Sequence, residues 1–204
     1  MPDPGRLITL EGLDGSGKST LAAGLIIAFP GLTLLREPGG VVLAERVRSL
    51  VTDPGLHIDP RAEALLYAAA RAQLVAERLR PLLDAGSDVL LDRFVDSSLA
   101  YQGAGRALGV AEVRALNAFA TGGLVADRTL LLRLDPAVGR ARQAARAAAD
   151  RLEREPDAFF AAAGAAYDAL AAEEPERFVV LDAAAPAAEV LAAARAALVA
   201  TLEG

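Results

Sequence analysis

The chain of 204 residues has no cysteine and no tryptophan, and aromatic residues make up only 4% of it. The absence of cysteine excludes a disulfide framework and a thiolate metal site. No apolar run reaches the roughly 18 residues that a membrane helix needs, and segment 1–6 is polar with two prolines, unlike a signal peptide. We therefore expect a cytoplasmic globular protein without membrane contact, folded as one domain over residues 1–204.

Positive charge is also scarce. The formal net charge is −6, which argues against binding to nucleic acid, because that binding needs a basic surface to displace counterions. Of the 21 Lys and Arg residues, Lys18 is the single lysine, and all the others are arginine. The residues around Lys18 must therefore explain why lysine occurs there.

Short apolar segments alternate with longer helical patterns along the chain. Continuous apolar strands separated by helices are typical of a parallel sheet covered on both faces. We therefore predict an α/β three-layer sandwich, with ligands bound beyond the carboxyl ends of the strands. The predicted strands are 6–11, 32–36, 88–93, 129–135 and 178–181, and the predicted helices are 18–28, 41–51, 60–84, 97–101, 110–121, one after Pro136 and one from Pro186.

The segment 12–19 (GLDGSGKS) matches the phosphate-binding loop pattern G-x-x-x-x-G-K-[ST]. It follows a predicted strand and opens a predicted helix, so backbone N–H groups and the helix dipole can surround an anion. We expect Lys18 to reach the β- and γ-phosphates of ATP and the Ser19 hydroxyl to bind Mg²⁺. The predicted ATP-binding residues of this loop are Gly12, Leu13, Asp14, Gly15, Ser16, Gly17, Lys18, Ser19 and Thr20.

Other classes of phosphate-loop protein fit the sequence less well. The guanine-binding motif N-K-x-D of GTPases cannot occur, because the single lysine already lies in the loop. The serine-glycine-glycine signature of transporter ATPases is absent as well, and the length fits a small kinase.

Arginines at the predicted strand ends indicate the kind of acceptor. Asp92 ends the third strand, where a carboxylate can hold a water on Mg²⁺. Arg93 follows it, Arg36 ends the second strand, and Arg71 lies in the long helix. A planar guanidinium suits a phosphate, so the acceptor is expected to be a phosphate ester, which needs charge neutralisation. An alcohol acceptor would call instead for a carboxylate base.

The ordered segments LEGLDGSGKST, REPGG, LLYAAARAQL and DRFVDSSLAYQG resemble the bacterial thymidylate kinases, and the resemblance covers nearly the whole chain. It implies transfer of a phosphoryl group from ATP to dTMP with Mg²⁺, giving dTDP and ADP. It also implies a P-loop NTPase fold of the nucleoside monophosphate kinase type, with a five-stranded sheet, and a homodimer.

By position, the resemblance implies which residues bind dTMP. Arg36 and Arg93 would hold its phosphate, Tyr67 would stack on thymine, and Arg71 would bond the carbonyl edge of the base. The remaining implied contacts are those of Ser98 and Gln102 with the base, of Tyr101 and Asp14 near the sugar, and of the turn Glu37–Pro38 with the deoxyribose.

Thymidylate kinases carry the catalytic arginine either in the phosphate loop or in a mobile lid. This loop has no arginine, so the chain resembles the second type, with a lid at about residues 145–156. Arg151 is the first choice for the transferring phosphate, because a mobile cation can close on the charge that spreads over the γ-phosphoryl oxygens. Arg146 and Arg154 are the other lid candidates, and the catalytic set would be Lys18, Asp92, Arg93, Arg146 and Arg151.

The resemblance also implies where adenine binds. Arg142 would stack on adenine, and Asp182 with the two alanines after it would form the opposite wall. Val41 departs from the threonine that commonly follows REPGG in the family.

The competing hypotheses are a phosphoryl-transfer kinase for another nucleotide or nucleoside, and a non-catalytic nucleotide-binding switch.

Overall fold

A computed structural model describes residues 3–144 and 150–202. These residues contain one parallel sheet of five strands in the order β2-β3-β1-β4-β5. The prediction of a five-stranded parallel sheet is confirmed. The strands are β1 (Leu7–Glu11), β2 (Thr33–Arg36), β3 (Val89–Asp92), β4 (Arg128–Arg133) and β5 (Phe178–Asp182).

The predicted long helix over 60–84 is continuous but changes its winding, since α3 passes through a π-helical segment, Val75–Leu79, into α4. A second π-helical segment, Leu99–Gly105, follows α5. The helix α8 was not predicted. The helices are α1 (Lys18–Ala28), α2 (Val42–Thr52), α3 (Pro60–Leu74), α4 (Arg80–Asp84), α5 (Val95–Ser98), α6 (Val110–Thr121), α7 (Pro136–Ala144), α8 (Asp157–Glu173) and α9 (Ala187–Leu202).

The helices cover both faces of the sheet because side chains alternate along each strand. Leu7 of β1 packs on one face in a cluster with residues of α2, α3 and α4. Its neighbour Ile8 packs on the opposite face with α1 and α9. Helix α8 contributes Phe159 and Tyr167 to a third cluster, which includes Leu131 of β4. The result is the predicted three-layer sandwich.

The strand register brings the chemical segments to one edge. Arg36 at the end of β2 pairs with Asp92 at the end of β3, and Asp92 pairs with Leu10 of β1. The phosphate loop after β1, the turn after β2 and Arg93 therefore leave the sheet side by side. None of the described helices is both long and apolar enough to cross a bilayer.

Candidate active site

The phosphate loop connects β1 to α1 through glycines in the left-handed region. Gly15 has φ +80°, and a Cβ there would lie 2.3 Å from the carbonyl oxygen of Gly139 in α7. No other residue fits without moving that helix. The Ser16 Oγ is buried and has no hydrogen-bond partner within residues 3–144 and 150–202, so its hydroxyl can bond an anion held in the loop.

Lys18 lies inside the loop and is 7% exposed. Its Nζ donates to the carbonyl oxygens of Gly12 (2.9 Å) and Leu13 (3.0 Å), and lies 4.0 Å from Asp14 Oδ1. Burial, followed by the nearby Arg93 charge, lowers the pKa of Lys18 to about 8. A bound polyphosphate would favour the charged form.

Asp14 and Arg93 form an ion pair beside this lysine. Arg93 Nη2 donates to Asp14 Oδ1 at 2.5 Å, and the Tyr101 hydroxyl donates to Asp14 Oδ2 at 3.1 Å. Burial alone would raise the pKa of Asp14, but the charges of Arg93 and Lys18 outweigh it and lower the pKa to about 2. Asp14 is therefore ionised at neutral pH and orients the guanidinium.

A cavity of about 340 Å³ opens over the loop. The Oδ1 atom of Asp92 is buried near it without a partner in the described part of the chain, and the exposed Ser19 lines the same cavity. The cavity is lined by residues of the phosphate loop, of the strand ends, of α2 and of the segment after β4: Asp14, Gly15, Gly17, Lys18, Ser19, Thr20, Arg36, Glu37, Arg48, Asp92, Arg93, Gln143 and Glu153.

A second cavity adjoins the first and shares Asp14, Glu37, Arg48 and Arg93 with it. The Glu37–Pro38 peptide bond at this boundary is cis. The predicted acceptor residues meet here, in a lining made of Asp14, Glu37, Pro38, Arg48, Thr52, Tyr67, Arg71, Arg93, Ser97, Ser98, Tyr101, Gln102, Asp150 and Leu152. Arg36 lines the first cavity only, where it pairs with Glu45 at 3.0 Å and is half exposed.

Arg71 is almost fully buried beside the second cavity. Its Nε donates to Glu37 Oε2 at 2.7 Å, and its Nη2 lies 2.6 Å from the same oxygen and donates to Phe94 O at 2.9 Å. Its Nη1 donates to Ser98 Oγ at 2.9 Å and to Asn117 Oδ1. These contacts engage all of its N–H groups, so the predicted bond to a base would have to share one of them.

A third cavity lies on the opposite side of the loop, between α1 and α9. Arg142 lines it and donates to the carbonyl oxygen of Ala183 at 3.2 Å. Asp182 does not line it, because its carboxylate accepts from the backbone N–H of Ala184 and caps the turn. Ala183 and Ala185 line this cavity, whereas Asp182 and Ala184 do not.

The predicted lid arginine Arg151 lies apart from the phosphate-loop cavity, whereas Glu153 of the same segment lines it. Arg151 Nη2 donates to Glu63 Oε2 at 2.6 Å, and its Nε donates to the carbonyl oxygen of Val51 at 2.9 Å. Arg151 lines neither of the two adjoining cavities. Its contact with a transferring phosphate stays a prediction that needs this segment to move. Arg146 lies outside the described residues.

Comparison with known proteins decides the family. The sequence model described as Thymidylate kinase matches residues 10–194. The thymidylate kinase of Deinococcus radiodurans is 50% identical over 190 residues, which cover 91% of this chain and 92% of that protein. The thymidylate kinase of Leifsonia xyli subsp. xyli is 52% identical over 197 residues, covering 94% and 93%. This chain belongs to the thymidylate kinase family.

A solved thymidylate kinase extends the match to the fold. The crystal structure of the thymidylate kinase from Ehrlichia chaffeensis aligns with a TM-score of 0.76 at 28% identity, over 96% of this chain and 99% of that one. The predicted P-loop fold of the nucleoside monophosphate kinase type is therefore confirmed, together with the family resemblance.

Among the residues of this thymidylate kinase site that were not predicted, Arg48 and Glu63 make the most contacts that bear on it. Arg48 lines both adjoining cavities and donates to the carbonyl oxygen of Pro38 at 3.0 Å. Arg48 and Thr52 are four residues apart in α2 and so share one helix face. This spacing of polar residues in the helix after REPGG could have predicted that Arg48 belongs to the site. Glu63 is fully buried and accepts from Gln102, Arg106 and Arg151; it connects the predicted lid to the second cavity.

Proposed function

We propose that this protein transfers the γ-phosphoryl group of ATP to dTMP, giving dTDP and ADP. The observation that carries the proposal is the meeting of two cavities at Asp14, Glu37, Arg48 and Arg93 in a chain of this family. One cavity contains the phosphate loop, and the other contains an aromatic and amide lining that suits a base. Two phosphorylated ligands would thus meet at their phosphates.

The donor side is proposed to bind ATP. The loop residues 12–20 would hold its phosphates, and Lys18 would lie against the β- and γ-phosphates. The cavity between α1 and α9 would take adenine, beside Arg142, whose hydrogen bond to the Ala183 carbonyl holds the guanidinium at this cavity. Asp182 would act only by holding the turn that carries Ala183.

A magnesium ion would be held by Ser19 directly and by Asp92 through water. The buried, unpartnered Asp92 Oδ1 within the described residues fits such a water, and the Ser19 hydroxyl lines the same cavity. When bound, the ion would neutralise charge on the β- and γ-phosphates.

The acceptor side is proposed to bind dTMP. Arg36 and Arg93 would hold its phosphate, and Tyr67 would stack on the base. Ser98, Tyr101 and Gln102 are each buried in the lining and would fix the base and the sugar, together with Arg71 and the Glu37–Pro38 turn. The acceptor oxygen belongs to an ionised phosphate, so the residues supply position and positive charge and no general base.

An ADP-release assay with ATP and Mg²⁺ tests the proposal by comparing dTMP, dUMP, UMP, AMP and thymidine. We expect dTMP to give the highest kcat/KM, at least about tenfold above AMP and thymidine. Turnover of AMP or thymidine above that of dTMP would refute dTMP as the acceptor. The absence of turnover with every acceptor, despite ATP binding, would favour the non-catalytic switch.

Replacement of Arg151 by alanine is expected to lower kcat about 100-fold while the KM for dTMP changes little, because the guanidinium would stabilise charge that exists only during transfer. Arg133→Ala is the matched control, since Arg133 is exposed and pairs with Asp168 at 2.9 Å. If Arg151→Ala instead raises the KM for dTMP at unchanged kcat, Arg151 has only the structural role of pairing with Glu63.

A homodimer is proposed from apolar residues exposed on adjacent helices. Helices α2 and α3 pack together, and α3 also packs against α6. Each presents a large exposed side chain, Val42 (73% exposed), Leu65 (57%) and Phe119 (89%). We propose that these side chains contribute to one apolar interaction surface. The expected partners are thus a second copy of the chain, ATP and dTMP. A cytoplasmic location stays a prediction from the sequence.

Sedimentation at micromolar concentration tests this dimer. The wild type is expected at twice the monomer mass, and Phe119→Glu is expected as a monomer, because a charge would have to be buried in the interface. Ile27→Glu in α1, also strongly exposed at 81%, serves as the control and should stay dimeric. A monomeric wild type contradicts the proposal.

A further inference from the structure

Glu11 ends β1 directly before the phosphate loop and is fully buried. It lines none of the three cavities described above. A buried carboxylate costs free energy unless its oxygens are hydrogen-bonded. Burial, followed by the negative charge of Asp96, raises the pKa of Glu11 to about 7. Retaining a carboxylate here therefore calls for a specific set of donors.

Three donors converge on this carboxylate. Oε1 accepts from the backbone N–H of Phe94 at 2.7 Å. Oε2 accepts from Ser97 Oγ at 2.5 Å and from the Tyr167 hydroxyl at 2.8 Å. Two of these donors belong to the segment that carries Arg93, and the third comes from α8. The carboxylate therefore joins β1 to the residues after β3.

Arg93 needs such support because its backbone has φ +70°. A side chain other than glycine rarely adopts this region, and the strain persists only where the surrounding contacts determine it. The N–H of Arg93 donates to Leu10 O at 3.0 Å, and the next N–H, that of Phe94, donates to Glu11. Consecutive residues of β1 thus hold the peptide groups on both sides of the Arg93 Cα.

The Arg93 side chain is linked to Glu11 as well. Arg93 Nη1 donates to Ser97 Oγ at 3.0 Å, and the Ser97 hydroxyl donates onward to Glu11. The other terminal nitrogen, Nη2, is paired with Asp14. Both nitrogens are therefore fixed from within the protein, and the guanidinium still lines the two adjoining cavities.

We propose that Glu11 is a positioning residue for Arg93, which it holds through the Phe94 backbone N–H and through the Ser97 hydroxyl. This inference rests on the proposed role of Arg93 at the acceptor phosphate. Glu11 lines neither of the two adjoining cavities and would act through Arg93 alone. Its removal should therefore weaken dTMP binding only while Arg93 is present.

A double-mutant cycle on dTMP binding tests this role. Glutamine keeps the shape of Glu11 but places a donating NH₂ group where Oε2 accepts. Ser97 Oγ would then accept from both this group and Arg93 Nη1, so the hydroxyl link from Arg93 to a buried carboxylate is lost. Glu11→Gln is expected to raise the dTMP Kd about tenfold in the wild type and less than about twofold in an Arg93→Ala background. The same variant should leave the ATP Kd within about twofold, which a general loss of structure would not do.

Tyr167→Phe is the matched control, because it removes a donor to Glu11 and leaves both links to Arg93 in place. Its dTMP Kd should stay within about twofold of the wild type. Equal loss of dTMP affinity from Glu11→Gln with and without Arg93 would overturn the proposal. If Glu11→Gln does not fold, Ser97→Ala must show the same dependence on Arg93. Failure of the wild type to bind dTMP would refute the proposed function instead, so the two failures are distinguishable.

Discussion

Replacement of Lys18 by arginine is expected to lower kcat at least about 1,000-fold, although the charge is unchanged. The Nζ of Lys18 lies inside the loop, held by Gly12 and Leu13 at 2.9 and 3.0 Å. A planar guanidinium is wider than an ammonium and cannot enter this space without moving the backbone carbonyls. The loop would then lose the geometry that surrounds the phosphates. The measurement is kcat with saturating ATP and dTMP in the ADP-release assay.

The opposite exchange at the surface provides the control for Lys18→Arg. Arg114 is 41% exposed and pairs with Glu173 in α8, so Arg114→Lys should keep kcat within about twofold, as an exposed ion pair contributes little. Thermal unfolding of both variants separates loss of catalysis from loss of fold. A kcat for Lys18→Arg within about tenfold of the wild type would contradict the proposed role of the ammonium.

Lysine at this one position now has a structural reason. Arginine serves elsewhere, at ion pairs and in the lining of both cavities, where a broad fork of donors is an advantage. At position 18 the side chain is enclosed by its own loop, and its pKa is lowered to about 8, chiefly by burial. A compact group on a flexible stem is the one that fits there.

The sequence was most informative where neighbouring residues determine the structure. The loop 12–19 needs only its glycines and the flanking strand and helix, so its position and the start of α1 at Lys18 were predictable. Each buried strand is a short apolar run, and parallel register then brought Arg36 and Asp92 together at one edge. The edge of the sheet that carries the site was predictable for the same reason.

Contacts between distant segments were not predictable. Helix α8 contains alanines on its buried and its exposed face alike, so its sequence lacks the alternation of apolar and polar residues that marks a surface helix. It was therefore not predicted, although its Tyr167 donates to Glu11. The partner of Arg151 could not be read either, since Glu63 lies 88 positions away. Such pairings depend on how helices pack, and one sequence carries no local signal for them.

Replacement of Arg71 by alanine is expected to lower the free energy of unfolding by about 3–5 kcal/mol. The change leaves Glu37, which is 5% exposed, without its cation. It also leaves the acceptor oxygens of Asn117, Ser98 and Phe94 without this donor. For a chain of this length the loss corresponds to a fall in Tm of about 10 °C. Urea and thermal unfolding measure it.

The pH dependence of this loss identifies its cause. Burial raises the pKa of Glu37 above its ordinary value, and the positive charge of Arg71 opposes that rise. Without Arg71 the pKa rises further, so protonation of Glu37 stabilises the folded variant over a wider pH range than in the wild type. A group with a raised pKa in the folded state contributes stability at low pH that is lost as the pH rises. The stability deficit of Arg71→Ala should therefore narrow as the pH falls from 7 toward the ordinary glutamate pKa of about 4.5.

Glu37→Gln in the Arg71→Ala background removes the uncompensated charge and provides the decisive control. The double variant should be more stable at pH 7 than Arg71→Ala alone by about 1–2 kcal/mol, and its remaining deficit should not change with pH in this range. A deficit that is independent of pH in the single variant would show that lost packing, and not the unpaired Glu37, destabilises it. The pair Glu37–Arg71 would then matter to the acceptor cavity through shape alone.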